Sequence, residues 1–277
     1  MTSSVPRAAL ADGTSIDVVG YGVYKVPPED TARLCSTALD VGYRLLDTAA
    51  LYGNEEGVGA AARAYLETGA RDDLFLTSKV WNDDHGFDAT LRAFDATMQR
   101  LGLEELDVYL IHWPCPSKGL YVETWRALER LRADGRVRSI GVSNFQQPHL
   151  ERLLDETGVV PVLNQVELHP YLQQRDLRAF HAQHGIATQA WSPLGRGNVL
   201  RDAVVGRIAA DLGRTPAQVI LRWHLQQGIL TIPKASSRER IGSNLDILGF
   251  ALDDGQVGAL DALDRDQRFG SHPDRVG

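Results

Sequence analysis

Two cysteines in 277 residues, Cys35 and Cys115, are too few for a disulfide scaffold, and neither stands in a CxxC pair. Both read as packing residues. No stretch approaches the roughly 18 to 20 apolar residues that a membrane-spanning helix needs. The polar start Met1–Arg7 lacks a signal-peptide hydrophobic region. The expectation is a cytoplasmic protein that meets no membrane. Basic residues are in deficit, with 29 Lys and Arg against 36 Asp and Glu, and the net charge of −7 speaks against a broad phosphate-binding face and a nucleic-acid partner. The eight histidines show no HExxH or comparable spacing, so no metal site is expected. Linkers, low-complexity tracts and sequence repeats are missing too, and residues 1–277 read as one domain.

What is present is an ordinary core-forming composition, 43% hydrophobic and 23% charged, in which short β-branched runs alternate with longer amphipathic stretches. Strands are expected at Val18–Gly22, Tyr43–Asp47, Leu74–Ser78, Leu106–Ile111, Ser139–Val142, Val162–Val166, Ile186–Ala190 and Ile229–Ile232. Helices are expected at Glu29–Val41, Asn54–Tyr65, Phe87–Leu101, Tyr121–Ala133, Gln147–Glu156, Gln174–Gln183, Pro216–Gln226 and Arg238–Leu248. Thr215-Pro216 has the chemistry of a helix start, and Gly42, Gly69, Gly185 and Gly228 that of helix exits. Eight such units predict a (β/α)8 TIM barrel, with a doubly wound open sheet as the alternative. Ahead of them, Ala8–Val18 centres on Asp12-Gly13, a hairpin signal that would close the bottom of the barrel.

In a barrel, chemistry gathers at the C-terminal ends of strands. There the sequence places Asp47 and, one loop on, Tyr52; Lys79 at the end of the third strand; and His112 at the end of the fourth. Singly, each has a plain explanation: a helix cap, a packed ring, a snorkelling cation, a core imidazole. Together they bring an acid, a phenol, an amine and an imidazole to one pocket. A neighbouring ammonium favours phenolate, so Lys79 is expected to make Tyr52 more acidic, with Asp47 holding the lysine charge. His112 would orient a carbonyl oxygen, and the reaction class is carbonyl reduction with Tyr52 as general acid.

The flanking segments resemble the aldo-keto reductase family along nearly the whole chain. They are Gly20-Tyr21-Gly22-Val23-Tyr24, Gly42–Ala49 with Tyr52-Gly53-Asn54-Glu55, Leu101-Gly102-Leu103 with Asp107–Pro114, Gly141–Phe145, Asn164–Pro170 and Ile232-Pro233-Lys234. The resemblance implies an NADPH-dependent reductase, monomeric, with Tyr52, Lys79, Asp47 and His112 at the positions of the family's catalytic tetrad. By the same resemblance, Ser143, Asn144 and Gln165 hold the nicotinamide carboxamide and Trp191 stacks on its ring. Gly22, Val23 and Asp47 lie along the cofactor, and Ser192, Leu194 and Gly195 follow its pyrophosphate.

At the last helix, Lys234, Ser236, Arg240 and Asn244 suit the 2'-phosphate of NADP+, since a helix N-terminus and basic side chains both attract a dianion. Ala235, where relatives often carry a hydroxyl, departs from the pattern. Gly57-Val58-Gly59-Ala60-Ala61-Ala62 spells a dinucleotide fingerprint, but inside a helical stretch, and is set aside. For the small-molecule carbonyl substrate, Tyr24, Trp81, His112, Trp113 and Phe269 are expected at an aromatic mouth. Trp81-Asn82-Asp83-Asp84-His85 and Lys25-Val26-Pro27-Pro28 resemble the bacterial branch of 2,5-diketogluconate and methylglyoxal reductases. Two rival readings stay open at this point: an NADPH-binding sensor or structural barrel without turnover, and a non-redox barrel enzyme using the Lys234 loop for substrate phosphate.

Overall fold

The computed structural model describes residues 5–277; residues 1–4, within the polar start noted above, lie outside them. An antiparallel hairpin, β1 (Arg7–Ala9) and β2 (Ser15–Asp17), leads into eight parallel strands that neighbour one another in chain order. These are β3 (Tyr21–Gly22), β4 (Leu45–Asp47), β5 (Phe75–Val80), β6 (Leu106–Ile111), β7 (Val137–Ser143), β8 (Leu163–Glu167), β9 (Ala187–Trp191) and β10 (Leu230–Thr231). The sheet closes on itself: Gly20 N donates to Thr231 O at 2.8 Å and Thr231 N to Val18 O at 3.0 Å. Closure makes this a (β/α)8 barrel and removes the open-sheet alternative. None of the described helices is long and apolar enough to cross a membrane.

Strand residues point alternately in and out, and this period of two sorts the interior into layers. Leu45, Phe75, Leu163 and Leu230, at the N-terminal ends of their strands, pack together with Val108 and Leu110 further along β6, and the hairpin adds Leu10 and the fully buried Ile16 to the same cluster. Each such side chain contributes about 1.5–3 kcal/mol by leaving water. The hairpin thus plugs the bottom as expected, its turn held by Asp12 Oδ1, which accepts from Thr14 N and Oγ1 at 3.1 and 2.7 Å. Two residues further along the inward face, the apolar layer gives way to polar side chains: Asp47 above Leu45, Thr77 and Lys79 above Phe75, Gln165 above Leu163.

Among the described residues ten helices cover the outside: α1 (Pro28–Val41), α2 (Glu55–Leu66), α3 (Phe87–Leu101), α4 (Tyr121–Ala133), α5 (Gln147–Thr157), α6 (Arg175–His184), α7 (Ala203–Leu212), α8 (Pro216–Gln226), α9 (Arg238–Leu245) and α10 (Asp254–Asp261). Thr215 and Gln218 form the capping box that starts α8, with Pro216 at the first helical position. The helices α7 and α10 were not expected from sequence. Each carries glycine in its interior, at a cost of about 1 kcal/mol per residue. Asp202 caps α7 through Val204 N, and a capping box of Asp253 and Gln256 starts α10.

Other expectations shift by a few residues. Strand β5 runs on to Val80, α9 stops at Leu245, and α2 ends at Leu66, so Gly69 is no helix cap. The set-aside glycines lie inside α2, where a Cβ at Gly59 would collide with Leu101 O at the end of α3. Their job is close helix packing.

Candidate active site

Above the polar layer, the C-terminal ends of the strands surround a cavity of about 310 Å³. Asp47 ends β4 and Lys79 stands one residue before the end of β5, both facing inward, and they meet: Lys79 Nζ donates to Asp47 Oδ1 at 2.7 Å and to Thr48 O at 2.8 Å. Lys79 is 0% exposed and Asp47 2%, so this ion pair sits beneath the cavity floor, with Asp47 at the surface of the cavity and Lys79 behind it. Burial draws the Lys79 ammonium below its ordinary value, and the charge and hydrogen bond of Asp47 oppose that. The other carboxylate oxygen accepts from Gln165 Nε2 at 2.8 Å, and that nitrogen also donates to Gln189 Oε1 at 2.8 Å. Gln189, fully buried on β9, was missed in the sequence, although it stands on the inward face between Ala187 and Trp191.

Tyr52 closes a single 3-10 turn, Ala50–Tyr52, and the turn is fastened by the buried Asn54. Asn54 Nδ2 donates to Val23 O and Val26 O at 3.0 and 3.1 Å, while its Oδ1 accepts from Thr48 Oγ1 at 2.9 Å. One amide therefore ties the Tyr24 loop, the end of β4 and the Tyr52 turn together. The Tyr52 ring packs 5.1 Å from Tyr24 and edge-on to His112 at 5.6 Å between centroids. Lys79 Nζ lies 5.1 Å from the centre of the Tyr52 ring.

The expected acidification of this phenol by Lys79 is not found in the resting site. Burial, followed by the Asp47 charge and Tyr24, pushes Tyr52 well above its usual value. The reason is that Asp47, in contact with the ammonium, cancels most of its field, so desolvation wins. Tyr52 rests as a protonated phenol.

His112 follows directly on β6, and Asn144 Nδ2 donates to its carbonyl at 2.9 Å. Burial first, then the Lys79 charge and His85, hold the imidazole well below 6.5, so it is neutral at physiological pH. A neutral imidazole has one N–H to give and one lone pair to offer. Trp81 stands edge-on to it at 5.2 Å and Trp113 stacks at 6.5 Å.

At the ends of β7, β8 and β9 the predicted amide set forms one network. Ser143 Oγ donates to Gln165 O at 2.8 Å and accepts from Asn144 Nδ2 at 3.1 Å. Trp191 Nε1 donates to Asn144 Oδ1 at 2.8 Å, which fixes the indole against the cavity. Asn144 adopts a left-handed backbone (φ 64°), a conformation asparagine tolerates better than most residues.

Thirteen of the predicted residues line this one cavity: Gly22, Tyr24, Asp47, Tyr52, Trp81, His112, Trp113, Ser143, Asn144, Gln165, Trp191, Ser192 and Lys234. Val23, Leu194 and Gly195 lie just outside its lining. Ser236 and Arg240 are exposed at the start of α9, with Arg240 Nε donating to Ser237 Oγ at 3.2 Å, and Asn244 is buried further along that helix. Phe269 does not line the mouth as expected; its ring packs 5.1 Å from that of His169, and its backbone is drawn to Glu167. The tail contributes Ser271 and Val276 instead, and Leu51 and Arg196 also join the lining without having been singled out. Cys35 and Cys115 are buried and free. Among the described residues no group of acidic, His and Cys side chains could hold a metal.

Residues 18–265 match the model of the Aldo/keto reductase family. An aldo-keto reductase of Mycolicibacterium smegmatis is 52% identical over 269 residues, 97% of each chain. A glyoxal reductase of Bacillus subtilis is 47% identical over 277 residues, 99% of each chain. Among solved structures, a mutant of Gox0644 in complex with NADPH superposes with a TM-score of 0.94 at 49% identity, covering 99% of this chain and 100% of the other.

Proposed function

The chain belongs to the aldo/keto reductase family, and from that premise we propose that it is an NADP-dependent oxidoreductase in which Tyr52 protonates the oxygen of a carbonyl as the carbon is reduced. The substrates are aldehydes, ketones and dicarbonyls, keto acids and keto sugars included. The observation that carries this reading is the convergence of Tyr52, His112 and the buried Lys79–Asp47 pair on one cavity whose far wall is the Ser143, Asn144, Gln165 and Trp191 network.

That wall fits a nicotinamide. Gln165 spends its nitrogen on Asp47 and Gln189, while its Oε1 accepts no hydrogen bond from the described residues and is left for an amide N–H. The Trp191 indole offers a flat face beside it. NADPH, when bound, supplies the hydride. Ser192 follows its pyrophosphate, with Leu194 and Gly195 next in the chain, and Lys234, Ser236, Arg240 and Asn244 receive its 2'-phosphate.

His112, neutral and hemmed in by Trp81 and Trp113, orients the carbonyl oxygen toward the Tyr52 hydroxyl. As the carbon takes up the hydride, charge gathers on that oxygen and makes it far more basic than the phenol, so the proton moves from Tyr52 even though burial has raised its value. The phenolate left behind faces the Lys79 ammonium across 5.1 Å, measured to the ring centre. Lys79 therefore stabilises the product of proton transfer instead of activating the resting acid. Tyr24, Trp81, Trp113 and Leu51 form an apolar rim suited to small carbonyls.

Within the same proposal the protein is a one-domain monomer of the cytoplasm with no nucleic-acid or membrane partner. Following NADPH absorbance across a panel that includes glyoxal, methylglyoxal, simple aldehydes and keto acids tests the reading. Turnover of dicarbonyls and aldehydes is expected; no oxidation of NADPH with any carbonyl would overturn it and return the sensor alternative.

A further inference from the structure

The C-terminal tail crosses the top of the barrel on a short series of anchors. Arg265 N and Gln267 N donate to Tyr171 O at 3.3 and 2.9 Å, and the Arg265 guanidinium lies 3.5 Å over the Tyr171 ring. Next the chain meets Glu167, the last residue of β8. Phe269 N donates to Glu167 Oε1 at 2.7 Å, and Gly270 N reaches Oε1 at 3.1 Å and Oε2 at 3.0 Å. Glu167 is 0% exposed, and its other partner is His169 Nε2 at 3.3 Å. Immediately beyond this clamp, Ser271 and later Val276 enter the lining of the catalytic cavity.

Gly270 adds a second link. A Cβ there would overlap the Trp191 indole and come within 2.9 Å of Glu167 Oε2, so the tail backbone lies directly on the edge of the ring. Glu167 and Trp191 are themselves register partners across β8 and β9. One carboxylate thus sets where Ser271 sits and what limits the indole on its tail side. The chemistry asks for a carboxylate: two backbone N–H groups and an imidazole converge on it, and an amide in its place would turn an NH₂ toward one of these donors.

We propose that Glu167 is a positioning residue for carbonyl substrates, acting by pinning the tail at Phe269 and Gly270 so that Ser271 and Val276 complete the cavity wall beside Trp191. This rests on the reductase reading above. Glu167 touches no reacting atom; it acts through the tail.

The test uses the full chain with NADPH and methylglyoxal, comparing the native protein with Glu167→Gln, Gly270→Ala and the double variant. Losing a buried charge-assisted bond corresponds to about tenfold in an equilibrium constant. KM for methylglyoxal is therefore expected to rise about tenfold in Glu167→Gln, with kcat falling less. The Phe269 and Gly270 amides, protected from hydrogen exchange in the native protein, should exchange about tenfold faster. Gly270→Ala, whose new Cβ overlaps the Trp191 indole and presses on Glu167 Oε2, displaces the tail while keeping the carboxylate; it should raise KM similarly, and the double variant should fall short of the product of the two effects. Unprotected Phe269 and Gly270 amides in the native protein, an unchanged KM in either single variant, or a double variant equal to the product would each overturn the proposal. Should no carbonyl be turned over, the reductase reading fails, while hydrogen exchange still decides whether Glu167 holds the tail.

Discussion

Lys79 Nζ and Asp47 Oδ1 stand 2.7 Å apart at the base of the cavity, Lys79 fully buried and Asp47 buried but for the edge that lines the cavity. Removing one member leaves an uncompensated buried charge, whereas removing both leaves none. Asp47→Asn and Lys79→Met are each expected to lower stability by about 3–5 kcal/mol, and the double variant to lower it by much less than the sum. Turnover should stay lost in the double variant. Guanidinium denaturation of the four proteins, read beside carbonyl-dependent NADPH oxidation, separates the two effects.

In the proposed mechanism, carbonyl reduction needs a neutral His112 and a protonated Tyr52. With the imidazole held well below 6.5 and the phenol pushed well above 10.0, both forms persist across the neutral range. The kcat for reduction should accordingly be flat from about pH 6 to about pH 9, measured at saturating NADPH. Alcohol oxidation needs the phenolate and should climb through the same range without levelling. A limb near 6.5 in the reduction profile that disappears in His112→Asn would contradict this assignment.

Asp17, on the hairpin that plugs the barrel, is pushed from 3.8 up to about 6, chiefly by burial and against the pull of Arg7 and Arg44. A carboxyl whose folded value is raised favours the fold below its unfolded value and loses that contribution as pH climbs through the folded one. The native protein should therefore weaken between about pH 4 and about pH 6 by up to about 3 kcal/mol from this group. Asp17→Asn is expected to gain stability relative to the native chain over that window. A difference in urea midpoints that does not vary with pH would show that Asp17 is not the source.

At the start of α9, Arg240 is exposed and its side chain bonds, among the described residues, to Ser237 alone, which leaves most of its guanidinium available to a phosphate dianion. One charge-assisted hydrogen bond corresponds to about 1.5–3 kcal/mol, or roughly 10- to 100-fold in affinity. Arg240→Ala should weaken NADPH binding by that factor and leave NADH nearly untouched, as fluorescence titration with both cofactors would reveal. Equal losses for the two would remove Arg240 from the 2'-phosphate site.

The barrel and the floor of its cavity were legible because both rest on local signals: a period of two in each strand, and polar residues breaking that pattern at strand ends. Asp47 and Gln165 stand directly above the apolar Leu45 and Leu163 on the same inward face, and Lys79 stands above Phe75 with Thr77 between them. The same alternation pointed to Gln189, which went unread. The α10 helix, interrupted by two glycines, carries little helical signal of its own and owes its form to capping and packing; α7, with Val205, Ile208 and Ala209 on its buried face and Asp202 as its N-cap, carried a signal that went unread. What could not be read is what depends on residues far apart in the chain. The elevated phenol of Tyr52 is one case, since its surroundings come from several loops. The reach of the tail is another: nothing near Phe269 in sequence marks it for His169 and Glu167 instead of the mouth.

Transfer of a proton from Tyr52 is the step on which the account turns. Single-turnover oxidation of bound NADPH by methylglyoxal in Tyr52→Phe tests it most directly, because the substitution deletes one hydroxyl and keeps the ring that packs on Tyr24 and His112. A loss of about 10²–10⁴-fold in rate, with NADPH affinity unchanged, is the predicted result. A rate equal to that of the native protein would contradict it.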